Sequence, residues 1–475
     1  MTEALILGSK AQQLGAADVP GTRDSLGIRS RCKGVSGFLE HCETPMTLSI
    51  TGGWGTGKTT AMKLIRKQLD PEEQCSIWFN TWQFAVLNPN DRLILDLLQM
   101  LADYLKKMQD SLQPEARTRA QNSLNIVEKA LAGTRFFGNL LGGKGTVGGV
   151  MAFLNKMLDM WRDAQRDAKE ITGRTAPAPD AAHGGTAVPA VESASPVILA
   201  SELREHVGQM LRAICECLPD RRLYLFIDDL DRLNPQVALE LMEGMKNFLD
   251  CPGCVLIMAV DQDIVERGLR SKYGAEFTQD KEKARQFFDK IIQVPYALPT
   301  DTYEISDYVR GLLPASLRSA ADDFVGILHA LDERNPRTIK RGLNLLQLYS
   351  CIENETSDQR LVMPVQRNRM LERYAVLALH LKSREDYDAL SNALSEGGRV
   401  YDKRAVFSRL RALLYPAKDT DVPPQRAARI RAVAEVFFGS SLLTEHAAPR
   451  DLSGVDALIA AVREVGEMVP KPNGK

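Results

Sequence analysis

The sequence carries almost no excess charge and lacks the patterns that mark several special classes of protein. Among its 475 residues, 60 Lys and Arg balance 61 Asp and Glu, which leaves a formal net charge of −1. This balance provides no whole-molecule field that would attract nucleic acid or anionic lipid, so such partners would need a local patch. The eight cysteines form no regular framework, and the six histidines include no pair at metal-binding spacing. We therefore expect a chain from a reducing compartment, without disulfides.

Long uncharged hydrophobic runs are also absent. No stretch reaches the roughly 18 apolar residues that a membrane-spanning helix needs, and the N-terminus lacks the basic start and apolar run of a signal peptide. The nearest candidate for a span, Phe136–Met160, is interrupted by Lys144 and Lys156. We expect this segment to be buried or interfacial and the protein to be cytoplasmic, with membrane attachment left open as an alternative.

Short apolar runs alternate with helical patterns through roughly the first two thirds of the chain. The runs predicted as strands are Thr47–Ile50, Ser76–Phe79, Leu223–Asp228, Val255–Val260 and Ile291–Val294. A helix is predicted to begin at Lys58, and a long helical region to extend from Asp91 to about Leu131. Further helices are predicted at Ser201–Leu218 and Pro235–Leu249. Strands that are nearly continuous apolar runs, each followed by a helix, predict an α/β fold with a parallel sheet covered on both faces. From Asp301 onward the pattern is almost entirely helical.

Residues 133–200 differ from the sequence on either side. A glycine-rich run is followed by Thr175–Pro196, which is dense in Ala, Pro and Gly and nearly free of charge. Such a segment cannot bury enough apolar surface to offset the entropy lost on ordering. We expect an insert that contains a flexible linker.

The strongest motif follows the first predicted strand. Residues 52–59, Gly-Gly-Trp-Gly-Thr-Gly-Lys-Thr, match the phosphate-loop pattern G-x-x-x-x-G-K-[ST]. Glycines let backbone N–H groups face phosphate oxygens without an intervening Cβ, and the helix that begins at Lys58 directs its positive end at the same anion. Lys58 should reach the β- and γ-phosphates, and the Thr59 hydroxyl should ligate Mg²⁺. The predicted nucleotide-binding residues are Gly52, Gly53, Trp54, Gly55, Thr56, Gly57, Lys58, Thr59 and Thr60.

A second functional pattern is the acidic end of the strand Leu223–Asp228. A buried parallel strand delivers acids at its C-terminal tip into the crevice where such sheets bind ligands. Asp228 suits the magnesium shell, and Asp229 is placed to orient and polarise the attacking water. The alternative is that these acids cap the following helix. Asp231 and Arg232 follow at once, and could form a local ion pair that fixes the loop or contact a neighbouring subunit.

Two weaker patterns concern cysteines and basic residues. Cys215-x-Cys217 and Cys251-Pro-Gly-Cys254 have spacings seen in zinc sites and precede strands that should be neighbours, so all four could meet at the sheet end away from the nucleotide. Buried structural cysteines are the alternative to a zinc or redox role, and we favour it. Residues 401–432 hold eight Lys or Arg against three Asp, near Tyr401, Phe407 and Tyr415. This segment is a candidate surface for nucleic acid or a partner, although a solvated helix face fits it better.

Five motifs in order resemble the KAP family of P-loop NTPases, a branch related to the STAND and AAA+ ATPases. One is the tryptophan-containing phosphate loop, and the others are the segments Trp78–Phe84, Phe226–Arg232, Phe288–Pro295 and Asn335–Arg341. The resemblance covers about Asp24 to Tyr349. It implies an ATPase that uses ATP and Mg²⁺, with a parallel sheet in the order 5-1-4-3-2, a helical lid and a C-terminal helical domain. The resulting organisation is a lead-in at 1–23, an NTPase core at 24–300 with the insert at 133–200, a lid at 301–350 and a C-terminal helical region at 351–475.

The resemblance also implies roles for residues outside the two main motifs. Asp261 would lie at the tip of the middle strand, near the γ-phosphate or the attacking water, with a helix cap as the equal alternative. Arg337 resembles the lid arginine that senses the γ-phosphate, and its alternative is a solvated helical arginine. Arg285 or Lys290 could supply a finger to a neighbouring subunit, but a solvated side chain is the better interpretation.

Several functions remain compatible with these features. The leading hypothesis is an ATPase whose hydrolysis cycle changes partner contacts, in bacterial anti-phage defence by family analogy alone. Companion subunits of a defence complex and a homo-oligomer are the partners considered. The alternatives are a slow nucleotide-gated assembly switch, a P-loop kinase and a membrane scaffold that uses residues 133–160. The kinase is disfavoured because Asp229 and the Pro-Arg motif suit water attack and lid sensing.

Overall fold

The computed structural model describes residues 15–17, 24–87, 93–108, 110, 112–140, 196–273, 288–356, 363–395, 402–416, 423–439 and 452–469. Contacts divide the chain into two compact units. The first unit consists of Met1–Arg29, Gly55–Gly57 and Pro299–Lys475, and the second of Ser30–Trp54 and Lys58–Leu298. The predicted insert lies largely outside the described residues, and the predicted domain boundaries stay predictions.

The second unit contains a five-stranded sheet in which every pair of neighbours is parallel. Its strands are β1 (Met46–Thr51), β2 (Ser76–Asn80), β3 (Leu223–Asp228), β4 (Cys254–Val260) and β5 (Val294–Ala297). The strand order is β2-β3-β4-β1-β5. This confirms the α/β fold class and the order 5-1-4-3-2, which is the same order viewed from the other edge.

Burial along the strands follows their position in the sheet. Every residue of β3 and β4 is buried, because both strands lie inside the sheet with helices against both faces. The edge strand β5 alternates between half-buried and exposed residues. The apolar composition of β3 and β4 thus suits interior strands. The carboxyl ends of both strands lie at the same edge of the sheet.

The fifth strand lies three residues later than predicted, at Val294–Ala297 instead of Ile291–Val294. Ile291 and Ile292 are buried, but the N–H of Ile292 bonds the carbonyl of Phe288 in a helical turn. The β-branched pair therefore fills the core from a helix end. Pro295 fits the strand because an edge strand leaves one side of its backbone without a partner strand.

The helices of the second unit surround this sheet. They are α1 (Arg29–His41), α2 (Lys58–Leu69), α3 (Thr81–Leu87), α4 (Leu93–Met108), α5 (Pro114–Leu140), α6 (Pro196–Cys217), α7 (Pro235–Leu249) and α8 (Gln262–Tyr273). The helical region predicted from Asp91 to about Leu131 consists of two helices, α4 and α5. The division falls just before Pro114, because proline has no N–H to donate within a helix but suits its first residue.

A leucine-rich layer on one face of the sheet builds the core of the second unit. Helix α4 alone buries six leucines along the side that packs on α5 and α6. Burying an aliphatic side chain of this size contributes about 1.5–3 kcal/mol relative to leaving it exposed. Phe79 of β2 stacks on Phe84 of α3, with ring centroids 4.7 Å apart, and ties the layer to the sheet edge.

The described part of the first unit is helical after residue 299, as predicted. Its helices are α9 (Ile305–Leu312), α10 (Ala321–Ala330), α11 (Pro336–Thr356), α12 (Met363–Lys382), α13 (Arg384–Leu394), α14 (Lys403–Leu414), α15 (Pro424–Phe438) and α16 (Ser453–Met468). Three of them meet at Arg373 of α12, whose guanidinium pairs with Glu353 of α11 and Glu464 of α16 at 2.5 Å each. Because Arg373 is buried, its charge would destabilise the fold without carboxylate partners.

No helix in the described part of the chain is long and apolar enough to cross a membrane. Of the segment Phe136–Met160, residues 141–160 lie outside that part.

Candidate nucleotide site

The loop between β1 and α2 has the backbone conformations that a phosphate loop requires. Gly55 and Gly57 have φ angles of +81° and +103°, which residues with a Cβ rarely adopt. A Cβ on Gly55 would also lie 2.7 Å from Cβ of Arg337 and 2.8 Å from the Asn335 side-chain oxygen, within the first unit. Glycine is therefore required at position 55 by both its backbone conformation and its surroundings.

Lys58, the first residue of α2, is held in place by three partners. Its Nζ donates to the carbonyl oxygens of Gly52 at 2.8 Å and Gly53 at 3.1 Å. The same Nζ lies 2.9 Å from Oδ2 of Asp231, and both side chains are less than a tenth exposed. An ammonium group has three N–H donors, so these contacts account for all of them. Lys58 therefore points into the loop that precedes it, and its charge is neutralised by Asp231.

The acidic end of β3 reaches the start of α2. The Thr59 hydroxyl donates to Oδ1 of Asp228 at 3.0 Å, and the N–H of Asp229 donates to the same oxygen at 2.9 Å. The Thr81 hydroxyl, at the start of α3, donates to the backbone carbonyl of Asp228 at 3.0 Å. The structure thus brings together the threonine and the aspartate that the sequence predicts as magnesium ligands.

Asp228 is a buried acid in a negative environment. Burial and the neighbouring charge of Asp229 raise its pKa to about 6, although hydrogen bonds from the Asp229 N–H and the Thr59 hydroxyl oppose the rise. A carboxylate in this position is stabilised by a cation. Its oxygen and the Thr59 hydroxyl are hard oxygen donors of the kind that Mg²⁺ prefers.

The donor set fits Mg²⁺ bound together with a nucleotide. In the described residues no group of three or more His, Cys, Asp or Glu side chains could hold a metal ion by itself. Magnesium commonly binds through one or two carboxylates plus substrate phosphates and waters. Thr59 and Asp228 would therefore hold the ion, with a phosphate supplying the remaining charge.

Asp229 is held by two side chains. Its Oδ2 accepts a hydrogen bond from Asn80 Nδ2 at 2.8 Å, and its Oδ1 lies 2.9 Å from Arg232 Nε. Its backbone is left-handed, with φ +60° and ψ +26°, a conformation that Asp and Asn tolerate better than most residues. Asn80 ends β2, and its own side-chain oxygen accepts the N–H of Gln83 in α3. The orientation of Asp229 is therefore set by its backbone, by β2 and by the loop after β3.

The sequence does not predict two of these contacts, the hydrogen bond from Asn80 to Asp229 and the ion pair of Asp231 with Lys58. In the sequence, Asn80 is only part of a motif of the KAP resemblance, and Asp231 is only half of an Asp–Arg pair. In the structure Asp231 pairs with Lys58 and Arg232 pairs with Asp229. The Asp231–Lys58 and Arg232–Asp229 pairs both lie within the second unit, which favours the alternative that Asp231 and Arg232 fix the loop.

Asp261 follows β4 and has the contact expected of a helix cap. Its Oδ1 accepts the N–H of Asp263 at 3.1 Å, and its backbone carbonyl accepts the N–H of Ile264 at the start of α8. Asp261 is half-buried. The cap alternative is thus observed, and a role for Asp261 toward the γ-phosphate or water stays a prediction.

The other predicted residues lie as follows. Arg337 lies at the start of α11, where its backbone N–H donates to the Asn335 side chain at 3.0 Å. Tyr303, which no sequence motif singles out, donates its hydroxyl to the Thr56 carbonyl at 2.8 Å, within the first unit. Trp54 is 64% exposed. Lys290 is exposed, and Arg285 lies outside the described residues. The sensing role of Arg337 and the finger role of Arg285 or Lys290 stay predictions.

The tryptophan motif that begins within β2 packs at the same edge of the sheet. Trp78 of β2 stacks on Phe226 of β3 at 5.6 Å between ring centroids, in register with it. Aromatic pairs of this kind add about 0.5–1.5 kcal/mol beyond area burial. The stack keeps β2 aligned with β3, and so keeps Asn80 beside Asp228 and Asp229.

Comparison with known proteins agrees with this site. The family described as "KAP family P-loop domain" matches residues 33–351, which is more than half of the chain. The chain therefore belongs to the KAP family, and its P-loop domain is a nucleotide-binding NTPase domain. No curated protein matches the chain.

Proposed function

We propose that this KAP family protein binds ATP with Mg²⁺ and hydrolyses it to ADP and phosphate. The observation that carries the proposal is the contact between the Thr59 hydroxyl and Asp228 Oδ1, at 3.0 Å. It joins the helix after the phosphate loop to the acidic end of β3, where Asp229 also lies. The choice of adenine over guanine rests on the family resemblance.

Each residue of the site has a defined task in the proposed reaction. Lys58 and the N–H groups of the phosphate loop bind and orient the phosphates. A bound Mg²⁺ neutralises charge on phosphate oxygens, and Thr59 and Asp228 would hold it. Asp229 orients the water whose oxygen bonds the γ-phosphorus, while the bond from that phosphorus to the ADP oxygen breaks. Asp229 also accepts a proton from that water.

Asp229→Asn tests the proposal directly. The amide keeps the size of the side chain and suits the left-handed backbone, so ATP should bind nearly as tightly as to the parent protein. Phosphate release should fall by roughly 100-fold or more, since the group that polarises water is lost. Asp263→Asn, an exposed acid on α8, is the matched control and should hydrolyse ATP at the parent rate. Parent-level turnover by Asp229→Asn would remove Asp229 from the reaction.

A second function, a slow nucleotide-gated assembly switch, is favoured by the contacts around Asp229. Asn80 and Arg232 occupy both carboxylate oxygens, and a carboxylate so engaged is a weaker acceptor for a water proton. Steady-state phosphate release separates the two functions. Tight ATP binding without turnover, measured with and without candidate partners, would support the switch.

We further propose that nucleotide state changes the contacts of this protein with other proteins, in bacterial anti-phage defence. Only the family analogy supports this step. Affinity capture with mass spectrometry in the presence of ATP, ADP or no nucleotide tests it. Partners that are the same under all three conditions would oppose the coupling.

A further inference from the structure

Three buried thiols meet at the end of the sheet opposite the nucleotide site. Cys215 lies in α6, Cys251 follows α7, and Cys254 begins β4, and all three are free cysteines. Each of the three side chains is at most 5% exposed. In the described part of the chain they do not form a metal site, so the zinc interpretation of the cysteine pairs has no geometric support.

Cys251 and Cys254 form the two ends of a tight turn. The N–H of Cys254 donates to the carbonyl of Cys251 at 3.0 Å, and Gly253 has a φ angle of +89°. Pro252 and Gly253 at the two central positions, with positive φ at the second, define a type II turn. The ends of such a turn lie less than about 7 Å apart at Cα, which overlaps the range of about 4.4–6.8 Å found for disulfides.

The turn has no space for a residue larger than glycine at position 253. A Cβ there would lie 2.7 Å from the Cys215 sulfur and 2.7 Å from the carbonyl oxygen of Arg221. The third thiol therefore packs directly against the turn. This contact holds the Cys251–Cys254 pair in one conformation.

Cys251 lies in the wall of a surface pocket of about 350 Å³. The pocket is also lined by Arg204, Glu205, Arg212, Asp250 and Pro252. In its thiol form, the Cys251 sulfur donates to the Gly208 carbonyl at 3.6 Å. The pocket thus brings Cys251 and the cationic side chain of Arg212 together in one wall.

The two thiols of the turn differ in ionisation. The hydrogen bond from Cys254 and the charge of Arg212 lower the pKa of Cys251 to about 7, against the effect of burial. The pKa of Cys254 is raised by its hydrogen bonds to Cys215 and Cys251 and by burial. Cys251 is thus the more readily ionised thiol of the pair.

We propose that Cys251 and Cys254 are a peroxide-reactive thiol pair, in which Cys251 is the nucleophile and Cys254 resolves the product into a disulfide. The Cys251 sulfur attacks one oxygen of hydrogen peroxide, an S–O bond forms, the O–O bond breaks, and the departing oxygen leaves as water after protonation. The Cys254 sulfur then attacks the Cys251 sulfenic acid. The S–S bond forms, the S–O bond breaks, and a second water carries away the Cys254 proton.

The pair is independent of the proposed ATP hydrolysis. Cys254 and Val260 are the two ends of β4, and the nucleotide residues lie beyond its carboxyl end. Lys58→Ala should therefore abolish nucleotide binding and leave the thiol chemistry unchanged. Either proposal could therefore fail while the other holds.

The test is peroxide treatment of the reduced full chain, followed by alkylation, digestion and mass spectrometry. We expect a Cys251–Cys254 disulfide to form before the half-buried Cys75 or Cys351 is oxidised. Cys254→Ser should trap a sulfenic acid on Cys251 that a dimedone probe labels. Cys351→Ser is the matched control and should behave as the parent protein.

Arg212→Gln provides a second readout, which does not depend on the cysteine variants folding. Without the guanidinium, the alkylation rate of Cys251 near neutral pH should fall several-fold and its pH profile should move to higher pH. Earlier oxidation of Cys75 or Cys351, a Cys215–Cys254 disulfide in place of the proposed one, or an unchanged pH profile in Arg212→Gln would overturn the proposal.

Discussion

Asp231 competes with phosphate for the Lys58 ammonium. The two groups lie 2.9 Å apart, and both are almost fully buried, so a nucleotide phosphate that reaches Lys58 must displace this carboxylate or share the lysine with it. The position of Asp231 therefore affects nucleotide affinity before any chemistry occurs.

We predict that Asp231→Asn binds ATP and ADP more tightly than the parent protein, by about tenfold, equivalent to about 1.4 kcal/mol. The amide still accepts a hydrogen bond from Lys58 but no longer neutralises it, which leaves more of its charge for phosphate. Titration calorimetry at fixed salt measures the two affinities, with Asp263→Asn as the control. Weaker binding by Asp231→Asn would mean that Asp231 assists the bound state instead.

The raised pKa of Asp228 predicts how the stability of the nucleotide-free protein depends on pH. Its folded pKa of about 6 exceeds the reference value of 3.8, so the folded state binds more protons between these values and stability falls as pH rises through this window. Besides burial, the negative charges of Asp229 and Asp231 raise the pKa of Asp228.

Asp228→Asn should therefore stabilise the nucleotide-free fold at pH 7 by up to about 3 kcal/mol. The gain should shrink as the solution is acidified and disappear below about pH 4, where the parent carboxyl group is protonated in both states. Denaturant unfolding at a series of pH values measures it. A gain that stays constant with pH would show that ionisation of Asp228 is not its cause.

At the level of secondary structure, Gly268 controls how α8 packs on α7. A Cβ at position 268 would lie 2.4 Å from the backbone carbonyl oxygen of Pro235, the first residue of α7. A backbone atom cannot move aside as a flexible side chain can, so one of the two helices would have to shift.

We predict that Gly268→Ala destabilises the protein by about 1–3 kcal/mol, although alanine is the better helix former. Gly34→Ala in α1 is the matched control, because a Cβ there meets no atom within 4 Å. That control should be neutral or stabilising by up to about 1 kcal/mol. Thermal unfolding compares the two variants, and equal midpoints would contradict the packing explanation.

Elements with one clear physical cause were predictable from the sequence. Strand β3 and helix α7 have the predicted bounds, since a continuous apolar run or a proline at the helix start marks each of them. Strand β5 was misplaced because its burial depends on its edge position, which local residue types do not encode. The pairing of Thr59 with Asp228 was predictable, since both residues belong to recognised motifs.

The contacts of Asn80 and Asp231 were not predictable in the same way. Each depends on side chains that the fold brings together from distant segments, such as Asn80 with Asp229 and Lys58 with Asp231. Sequence patterns report which residue types are present at a site. They do not report which of two nearby acids pairs with a given cation.

On the scale of the whole molecule, ligand binding is the main expected source of added stability. A nucleotide present at about 100 times its dissociation constant should add about 2.7 kcal/mol to the free energy of unfolding of the state that binds it. The thermal midpoint should then rise by roughly 5 °C.

ATP with Mg²⁺ should produce this rise in the parent protein and not in Lys58→Ala, which lacks the charge-assisted phosphate contact. GTP under the same conditions should produce a smaller rise, in keeping with the expected preference for adenine. Differential scanning fluorimetry measures all three. Equal rises in the parent protein and Lys58→Ala would place the stabilising nucleotide elsewhere.

The left-handed backbone at Asp229 limits which mutations the lineage of this protein can tolerate there. Asparagine and glycine adopt that conformation readily, whereas alanine or glutamate would each add roughly 1 kcal/mol or more of strain. The mutations at this position that best preserve folding and ligand binding are therefore those that replace the acid with asparagine or glycine. We therefore expect some homologues to keep the fold and to have lost the acid that the proposed hydrolysis requires.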